Sequence, residues 1–390
     1  MLYRRFGRTE LQMPVFSCGG MRYQYKWQDV SWQEIPPDNQ ANLEATIRRS
    51  VELGINHIET ARYYGTSEMQ LGRILPHIPR DSIIVQTKVP PQEDGKKFRQ
   101  IFEQSLANLR LEYVDLLSFH GINTPQLLEY SLRCLEEARK LQQEGKVRFL
   151  GFSTHGATNL IIQTIETNQF DYVNLHWYWI FQDNWKAIET AHKYDMGVFI
   201  ISPSDKGGML YKPPKKLVQL CQPLSPMVFN DLFCLSHPQV HTLSIGAAKP
   251  TDFDEHLKTI PLLPHAHQIL PPIIERLENE AKRVLGEEWW YSWRVGLPSY
   301  EETPGNINIP VILWLRNLAL AYDLVEFAKN RYNLLGNGSH WFPGEKANRV
   351  AEFDLSECLK NSPHRHVIPR LLAETDAMLG GEAVKRLSQT

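Results

Sequence analysis

Four side chains that together can move a proton appear in the first third of the chain, each beside a short apolar run. Glu59 and Tyr64 lie five positions apart in GINHIETARYYGTSEMQLG, Lys88 ends IIVQTK, and His120 follows DLLSF. An ammonium beside a phenol favours the phenolate and so lowers the pKa of the phenol, which suits a proton donor. The carboxylate would hold the ammonium in place, and the imidazole could orient a carbonyl oxygen. No protein nucleophile is needed if a nicotinamide supplies a hydride, so these residue types predict reduction of a carbonyl to an alcohol, or the reverse.

The elements that must position these side chains alternate between short strands and longer helices up to about residue 262. Eight β-branched or apolar runs are predicted as strands: Val15–Cys18, His57–Thr60, Ile83–Thr87, Val114–Ser118, Phe149–Ser153, Tyr172–Leu175, Val198–Ile201 and Thr242–Ile245. Amphipathic segments lie between them, predicted as helices at Asn42–Leu53, Gln100–Leu109, Gln126–Gln143, Thr158–Asn168 and Ala187–Tyr194. Eight strands with intervening helices over some 260 residues are typical of a (β/α)8 TIM barrel.

A doubly wound sheet is the competing fold, and one motif argues against it. Such a sheet needs a glycine-rich phosphate turn after an early strand, whereas the first predicted strand here runs into Cys18-Gly19-Gly20-Met21, which is not GxGxxG. In a barrel, active sites form at the C-terminal ends of the strands, so Glu59, Lys88 and His120 should converge. Taken singly, each has a structural explanation, since a strand-end lysine can extend to solvent and a histidine can satisfy backbone groups.

Aromatic residues follow two of the predicted strands. They are Tyr23, Tyr25 and Trp27 after the first strand, and the run His176-Trp177-Tyr178-Trp179 after the sixth. Such side chains could form the wall of a pocket for an apolar or planar ligand, or simply cover the mouth of the barrel. The sequence leaves both possibilities open.

The alternation of predicted strands and helices ends before residue 263, and the predicted elements after it are helices and loops. A connector with Pro264, Pro271 and Pro272 precedes a predicted helix at Ile273–Leu285, and Asn308 and Pro310 mark the start of another before Val311. The second helix is expected to carry an apolar stripe from Leu315 through Tyr322 to Val325 and to end at Gly336-Asn337-Gly338. We therefore predict two domains, a barrel over residues 1–262 and a mainly helical C-terminal domain over residues 263–390.

Composition narrows the classes of partner. The 390 residues are 42% hydrophobic and 22% charged, with a formal charge of −2, which gives no reason to expect nucleic acid or an anionic membrane as a partner. Five cysteines without a CxxC pair, and an N-terminus without an apolar leader, favour a reducing cytoplasm. The apolar stretch 311–328 contains three charged residues and is expected to be a helix outside the membrane. The sequence is silent on oligomeric state.

The motifs GINHIETARYYG, SEMQLG, VQTK, YVDLLSFHG and VRFLGFSTHG resemble, in order and spacing, those of the aldo-keto reductase superfamily. The resemblance covers the whole predicted barrel and implies NAD(P)H-dependent carbonyl reduction by a tetrad of Asp, Tyr, Lys and His. It assigns the acid to Tyr64, its activator to Lys88 and the carbonyl-orienting group to His120. The aspartate of the family falls on Glu59, whose side chain is one methylene longer.

The same resemblance implies a set of cofactor-binding positions. Ser153, Thr154 and Asn174 would bond the nicotinamide carboxamide, with Asn174 in place of the usual glutamine, and Ile201 would replace the stacking tyrosine. The segment SIGAAKPTDFDEHL resembles the part that holds the adenosine phosphate, where Asp252 stands for the usual arginine, with Lys249 nearby and Glu255 towards the adenine. The remaining implied positions are Gly20, Met21, Ser202 and Gly246. NADP(H) is therefore expected, and NAD(H) is possible because an aspartate repels a 2′-phosphate.

The C-terminal segment resembles a ferredoxin-like extension found in one branch of this superfamily. That branch ends in CxxCxxCxxxCP, whereas here Glu352, Leu355, Cys358 and Ser362 stand at the four cysteine positions. One thiolate cannot hold a four-iron cluster, so we expect no iron–sulfur cluster and no metal site. A metal site from Cys358, His364 and His366 is disfavoured because no further ligand pair precedes it.

Three functions are compatible with this pattern. The first is a cytoplasmic NAD(P)H-dependent reductase of a small aldehyde or ketone. The second is an NAD(P)H-binding redox sensor with little or no turnover, suggested by Glu59, Ile201 and the missing cysteines. The third makes Lys88 a Schiff-base lysine of an aldolase-like barrel, which borohydride trapping would reveal.

Overall fold

Eight parallel strands close into a barrel in the computed structural model, which describes residues 1–337 and 341–382. Their order around the barrel is β10-β3-β4-β5-β6-β7-β8-β9, and a separate antiparallel hairpin, β1-β2, precedes them. The strands are β1 Tyr3–Arg5, β2 Gln12–Pro14, β3 Phe16–Gly19, β4 His57–Glu59, β5 Ile84–Val89, β6 Val114–His120, β7 Val147–Ser153, β8 Tyr172–Leu175, β9 Gly197–Ile200 and β10 Thr242–Ile245. Each of the eight predicted strands overlaps a strand of the barrel. The predicted (β/α)8 fold is therefore confirmed.

The helices between and after the strands begin and end as follows: α1 Pro37–Glu52, α2 Ser67–Leu71, α3 Gly95–Leu109, α4 Pro125–Gln143, α5 Thr158–Glu166, α6 Trp185–Lys193, α7 Pro203–Lys206, α8 Lys215–Cys221, α9 Pro226–Leu235, α10 Asp254–Leu257, α11 Ala266–Leu285, α12 Glu287–Ser292, α13 Ile309–Tyr322, α14 Val325–Tyr332 and α15 Ile368–Leu379. Several helices begin with a residue whose side chain caps the first turn. The side chains of Asp94, Thr124 and Asn308 accept hydrogen bonds from the backbone of the first turns of α3, α4 and α13. Within the described part of the chain, no helix combines the length and the apolar character that crossing a bilayer would take.

The chain divides into two compact units. The first consists of Met1–Gly207 and Asn230–Ala266 and contains the barrel, and the second consists of Gly208–Phe229 and the chain from His267 onward. The second unit is mainly helical, as its sequence predicts. The domain boundary between residues 262 and 263 stays a prediction.

Two details of the second unit differ from the sequence-based expectation. Pro271 and Pro272 lie inside α11 and do not form a connector before it. The long helix expected through Tyr322 and Val325 is interrupted at Asp323, whose left-handed backbone (φ 60°) ends α13, and α14 begins two residues later. A short polar side chain tolerates that conformation, and its local effect outweighs the periodic apolar pattern. The helix stop was expected at Gly336-Asn337-Gly338, whereas α14 ends earlier, at Tyr332; Gly338 itself lies outside the described residues.

Apolar side chains fill the N-terminal end of the barrel, and polar ones occupy the layer above. Phe6 lies against Gly197, where a Cβ atom would stand 2.6 Å from its ring, and packs with Leu11 and Met13. In the polar layer the Ser17 hydroxyl lies 2.7 Å from both His57 Nδ1 and Thr242 Oγ1. These contacts satisfy polar groups that water cannot reach.

The ring of Tyr172 belongs to the apolar cluster with Phe6, and its hydroxyl reaches Ser118 on β6 because the strand between them, β7, has a glycine beside the ring. A Cβ atom on Gly151 would stand 2.4 Å from the ring, and the Tyr172 hydroxyl lies 2.9 Å from Ser118 Oγ. Gly151 therefore leaves space for a contact between β8 and β6 that passes over β7, and a larger residue would have to displace the ring.

We expect Gly151→Ala to lower the free energy of unfolding by about 1–3 kcal/mol, since the methyl group would overlap the Tyr172 ring. A double-mutant cycle with Tyr172→Ala, followed by urea denaturation, tests whether the loss of stability comes from overlap with the Tyr172 ring. In the Tyr172→Ala background, Gly151→Ala should lower the free energy of unfolding by much less than it does in the wild type. An equal cost in both backgrounds would contradict the packing argument.

Candidate active site

The four tetrad positions meet at the C-terminal ends of three adjacent strands. Glu59 ends β4, Lys88 lies near the end of β5 and His120 ends β6. Tyr64 reaches them from the turn after β4, which is closed by a hydrogen bond from its N–H to the Ala61 carbonyl (3.0 Å). This turn needs a glycine next, because a Cβ atom on Gly65, whose φ is +53°, would stand 1.9 Å from the Lys26 carbonyl oxygen.

Lys88 is the centre of this group. Its Nζ donates to the Thr60 carbonyl (3.1 Å) and to the Tyr64 hydroxyl (3.2 Å), and it forms a salt bridge with Glu59. An ammonium has three protons, and these three partners use all of them. The Tyr64 oxygen accepts one of them, so its own O–H proton points elsewhere and can be donated to another molecule.

Burial sets the protonation of this cluster. Only 1% of Lys88 and 3% of Glu59 are exposed. Desolvation lowers the pKa of Lys88, while the adjacent Glu59 carboxylate supports its charge. Desolvation also raises the pKa of the Tyr64 phenol above its ordinary value, so the lowered pKa that the sequence led us to expect is not found. The phenol is consequently protonated, which is the state that a proton donor requires.

His120 faces the same phenol. Its ring meets that of Tyr64 edge-on, with the centroids 5.8 Å apart, and the ring of Trp27 approaches Tyr64 edge-on at 6.0 Å. Desolvation and then the charge of Lys88 lower the pKa of His120 to about 3. The imidazole is therefore neutral at ordinary pH and can donate one N–H to an oxygen near the phenol.

The extra methylene of Glu59 is accommodated by a neighbouring strand without a side chain. A Cβ atom on Gly19 would stand 3.3 Å from Glu59 Oε2 and 2.5 Å from Ser244 Oγ. A Cβ atom on Gly20 would stand 2.6 Å from the Glu59 carbonyl oxygen. Glycine at position 19 thus leaves room for the carboxylate of a glutamate that still reaches Lys88, and glycine at position 20 leaves room for the backbone carbonyl of residue 59.

Asn174 is the most distinctive of the residues expected to bind the nicotinamide. Its side chain is fully buried, and within the described residues neither its Oδ1 nor its Nδ2 has a hydrogen-bond partner. An unpaired buried amide is costly, and a carboxamide can pair with both of its atoms. On the adjacent strand Ser153 Oγ accepts from the Gly121 N–H (3.0 Å), whereas Thr154 donates its hydroxyl proton to the Ile122 carbonyl (2.7 Å).

The other expected cofactor positions surround the same end of the barrel. Ile201 directly follows β9 and is half-buried, and Ser202 adopts a left-handed backbone (φ 54°) at the turn into α7. Met21 is half-buried after β3. Gly246 follows β10, and a Cβ atom there would stand 3.0 Å from Arg22 Cδ.

The three positions expected at the adenosine end already have local contacts. Asp252 Oδ2 accepts from the backbone N–H groups of Ala248 (2.8 Å) and Lys249 (3.3 Å), which fixes the turn after β10. The Lys249 side chain is exposed, and Glu255 is paired with Lys258 (2.6 Å).

The two aromatic runs have different surroundings. Trp27 lies beside Tyr64, as described above, and so borders the site. Trp177 is buried, and its ring stacks on Phe233 (4.9 Å) and approaches Trp185 (5.1 Å) and His237 (4.8 Å). That part of the second run therefore packs against α6 and α9.

The positions of the lost cysteines lie in the second unit. The Cys358 thiol donates to the Leu355 carbonyl, Glu352 is paired with Arg349 (2.6 Å), and Ser362 is buried. No three His, Cys, Asp or Glu side chains within the described residues are grouped as they would be around a metal ion. The absence of a cluster stays a prediction.

Comparison with known proteins decides the family. A family model described as "Aldo/keto reductase family" matches residues 17–216, half of the chain. The chain belongs to the aldo/keto reductase family. This confirms the superfamily resemblance, whereas its assignment to the branch with a ferredoxin-like extension stays a prediction.

Individual relatives match parts of this family member. It is 38% identical to L-galactose dehydrogenase of Arabidopsis thaliana over 118 residues, 28% of the chain and 37% of the relative. It is 27% identical to L-glyceraldehyde 3-phosphate reductase of Escherichia coli O157:H7 over 235 residues, 54% of the chain and 57% of the relative. The chain thus spans only about a third to little more than half of the curated relatives. An aldo-keto reductase structure from Bacillus halodurans shares the fold (TM-score 0.60, 19% identity), covering 71% of the chain and 96% of that structure.

The sequence did not reveal two features of this region. One is the space at Gly19, which matters only because β3 pairs with β4 and brings residue 19 beside Glu59. The other is a contact between Ser204, Asp231 and His256, whose residues are widely separated in sequence and form no recognisable motif. Only the three-dimensional fold brings either set together.

We expect Glu59→Gln to lower the free energy of unfolding by about 3–5 kcal/mol at neutral pH, because it leaves the Lys88 ammonium buried without a counter-charge. Combining it with Lys88→Met removes both charges and should restore part of the loss. Chemical denaturation of the two single variants and the double variant measures the coupling. Additive losses would show that the pair is not coupled.

Acid should destabilise the barrel through His57. Burial and then the charge of Lys88 lower the pKa of His57 to about 3, whereas an unfolded histidine takes up a proton near pH 6.5. Between these values the unfolded state binds more protons, so the free energy of unfolding falls as the pH falls from about 6.5 towards 3. Urea denaturation at several pH values gives the free energy of unfolding as a function of pH. This free energy should fall less steeply with decreasing pH in His57→Gln than in the wild type. The same change at the exposed His77 serves as the control, and an unchanged slope for His57→Gln would exclude this origin.

Proposed function

We propose that this protein is an NAD(P)H-dependent oxidoreductase that reduces an aldehyde or ketone to an alcohol, with Tyr64 as the general acid. The observation that carries the proposal is the set of hydrogen bonds around Lys88 Nζ. With its three protons on Glu59, Thr60 and Tyr64, the ammonium leaves the phenol proton free for a substrate oxygen. Membership of the aldo/keto reductase family supports the same reaction class.

Each residue of the tetrad has a distinct task in this mechanism. Tyr64 donates its proton to the carbonyl oxygen as negative charge develops there, and the Lys88 ammonium stabilises the resulting phenolate through the 3.2 Å contact. Glu59 keeps Lys88 charged in a buried position. His120, neutral and facing the phenol, donates an N–H to the same oxygen and orients it.

The residues present fit a nicotinamide cofactor. Asn174 offers a buried amide whose oxygen and nitrogen are both unpartnered among the described residues, as a carboxamide ligand requires. Ser153 lies on the neighbouring strand with its oxygen already accepting one bond, so its hydroxyl proton can be donated to the ligand. When bound, the nicotinamide supplies the hydride.

Opposite charges at the adenosine end bear on the choice between NADPH and NADH. Lys249 favours a 2′-phosphate, whereas the carboxylate of Asp252, fixed by two backbone N–H groups, disfavours it. We propose that NADP(H) is bound and that NAD(H) is accepted as well. The substrate is a small carbonyl compound, and the Trp27 ring beside the phenol suits an apolar group on it.

The redox-sensor hypothesis was suggested by Ile201, by the missing cysteines and by the chance that Glu59 holds Lys88 out of position. Glu59 and Lys88 are in contact, and Lys88 reaches Tyr64, so the geometry favours turnover. The Schiff-base hypothesis needs an amine free to attack a carbonyl, whereas Lys88 Nζ is surrounded by three partners.

We expect Tyr64→Phe to lower the rate of aldehyde reduction by about 10²–10⁴-fold, because the variant lacks the proton donor. Fluorescence titration should show nearly unchanged affinities for NADPH and NADH, since the ring is kept. Tyr63→Phe, which removes the hydroxyl of the exposed neighbouring tyrosine, is the matched control and should leave the rate unchanged. Equal turnover by Tyr64→Phe and the wild type would refute the mechanism, and cofactor binding without turnover in the wild type would favour a sensor.

A further inference from the structure

A second group of chemically competent side chains lies outside the tetrad and outside the expected cofactor positions. His256 Nδ1 lies 2.5 Å from Asp231 Oδ2, and His256 Nε2 lies 3.4 Å from Ser204 Oγ. The three residues come from α7, α9 and α10 of the first unit. A hydroxyl, an imidazole and a carboxylate in this order form the arrangement that activates a serine nucleophile.

The buried carboxylate determines which nitrogen of His256 carries the proton. Asp231 and His256 are 1% and 3% exposed. With the Asp231 carboxylate as the acceptor, the short contact places a hydrogen on Nδ1, and in that tautomer Nε2 is an acceptor facing Ser204. Ser204 can therefore donate its proton to His256, which is the direction that a general base needs.

The surroundings of Asp231 strengthen this base. Within the described residues its second oxygen, Oδ1, has no hydrogen-bond partner, so the Nδ1–H of His256 is the donor that compensates for its burial. Burial raises the pKa of Asp231, which His256 opposes and the nearby charge of Glu255 reinforces. A buried carboxylate with few hydrogen-bond donors is stabilised when the neighbouring ring becomes a positively charged imidazolium. This is the state that forms when Ser204 gives its proton to His256.

Ser204 lies in the first turn of a short helix that follows a strand end. Strand β9 ends at Ile200, the chain turns sharply at Ser202 with a positive φ of 54°, and α7 starts at Pro203. The acid Asp231 and then His256 follow Ser204 later in the chain, which is the order found in serine hydrolases of the α/β type. Ser204 as a residue is half-buried.

We propose that Ser204, His256 and Asp231 form a second reactive site that takes acyl groups from small carboxylic esters. Ser204 Oγ attacks the acyl carbon, and its proton moves to His256 Nε2. The bond to the leaving alkoxide breaks, and the alkoxide takes this proton and departs as the alcohol. Water then attacks the acyl carbon of the acyl-serine, and its proton passes to His256 Nε2. The bond between the acyl carbon and Ser204 Oγ breaks, Oγ takes the proton from His256, and the carboxylic acid leaves, so no redox partner is consumed. This activity goes beyond the proposed carbonyl reduction and does not depend on it.

The test uses the full-length protein with a fluorophosphonate probe, followed by peptide mapping, and with p-nitrophenyl acetate as the ester. We expect a single probe adduct on Ser204 of the wild-type protein and ester hydrolysis above the rate in buffer. Ser204→Ala should abolish both, and His256→Gln should slow labelling by about 10²-fold through loss of the general base. Mapping on the wild type needs no variant and therefore does not depend on whether a substituted protein folds.

A second serine–histidine pair provides the matched control. Ser236 Oγ lies 3.2 Å from His237 Nδ1, but that nitrogen also lies 2.9 Å from the Phe233 carbonyl and has no carboxylate beside it in the described structure. Ser236→Ala should leave labelling and hydrolysis unchanged. Absence of an adduct on Ser204 of the wild type, or equal hydrolysis by Ser204→Ala, would overturn the proposal. Because no cofactor is added, neither result depends on whether the protein reduces carbonyls.

Discussion

The candidate active site depends on one buried positive charge. Lys88 lies inside the barrel, where an ammonium is stable only if every proton finds an acceptor and a negative charge lies close. Thr60, Tyr64 and Glu59 meet these demands together. The direction of the Tyr64 proton follows from them, because an oxygen that accepts from Lys88 directs its own hydrogen away. Loss of any one partner would therefore change both stability and chemistry.

Glu59 and Gly19 illustrate how the fold accommodates an unusual residue. A glutamate is one methylene longer than the aspartate expected from the family resemblance, and a side chain on the adjacent strand would crowd it. Gly19 leaves that space, as Gly151 does for the ring of Tyr172 deeper in the barrel. In both cases a glycine on one strand allows a longer side chain from its neighbour to reach a polar partner.

The sequence predicted local patterns better than contacts between distant segments. Strands such as Tyr172–Leu175 and Thr242–Ile245 follow from short apolar runs, and the convergence of strand ends follows from the barrel itself. The break at Asp323 was missed because its left-handed backbone is a single-residue property hidden in a continuous apolar pattern. The lowered pKa expected for Tyr64 was wrong because the effect of desolvation cannot be obtained from residue types alone. Ser204 and His256 are 52 residues apart in sequence, and only the fold brings them together.

The most direct test of the account is the single-turnover rate of aldehyde reduction by Lys88→Met, with the enzyme saturated with NADPH before the aldehyde is added. Methionine keeps much of the volume of the side chain and removes the charge that stabilises the phenolate. The account predicts a rate about 10²–10⁴-fold below that of the wild type, with nearly unchanged affinity for NADPH. A rate within about twofold of the wild type in a correctly folded variant would contradict the central role of the Lys88 ammonium.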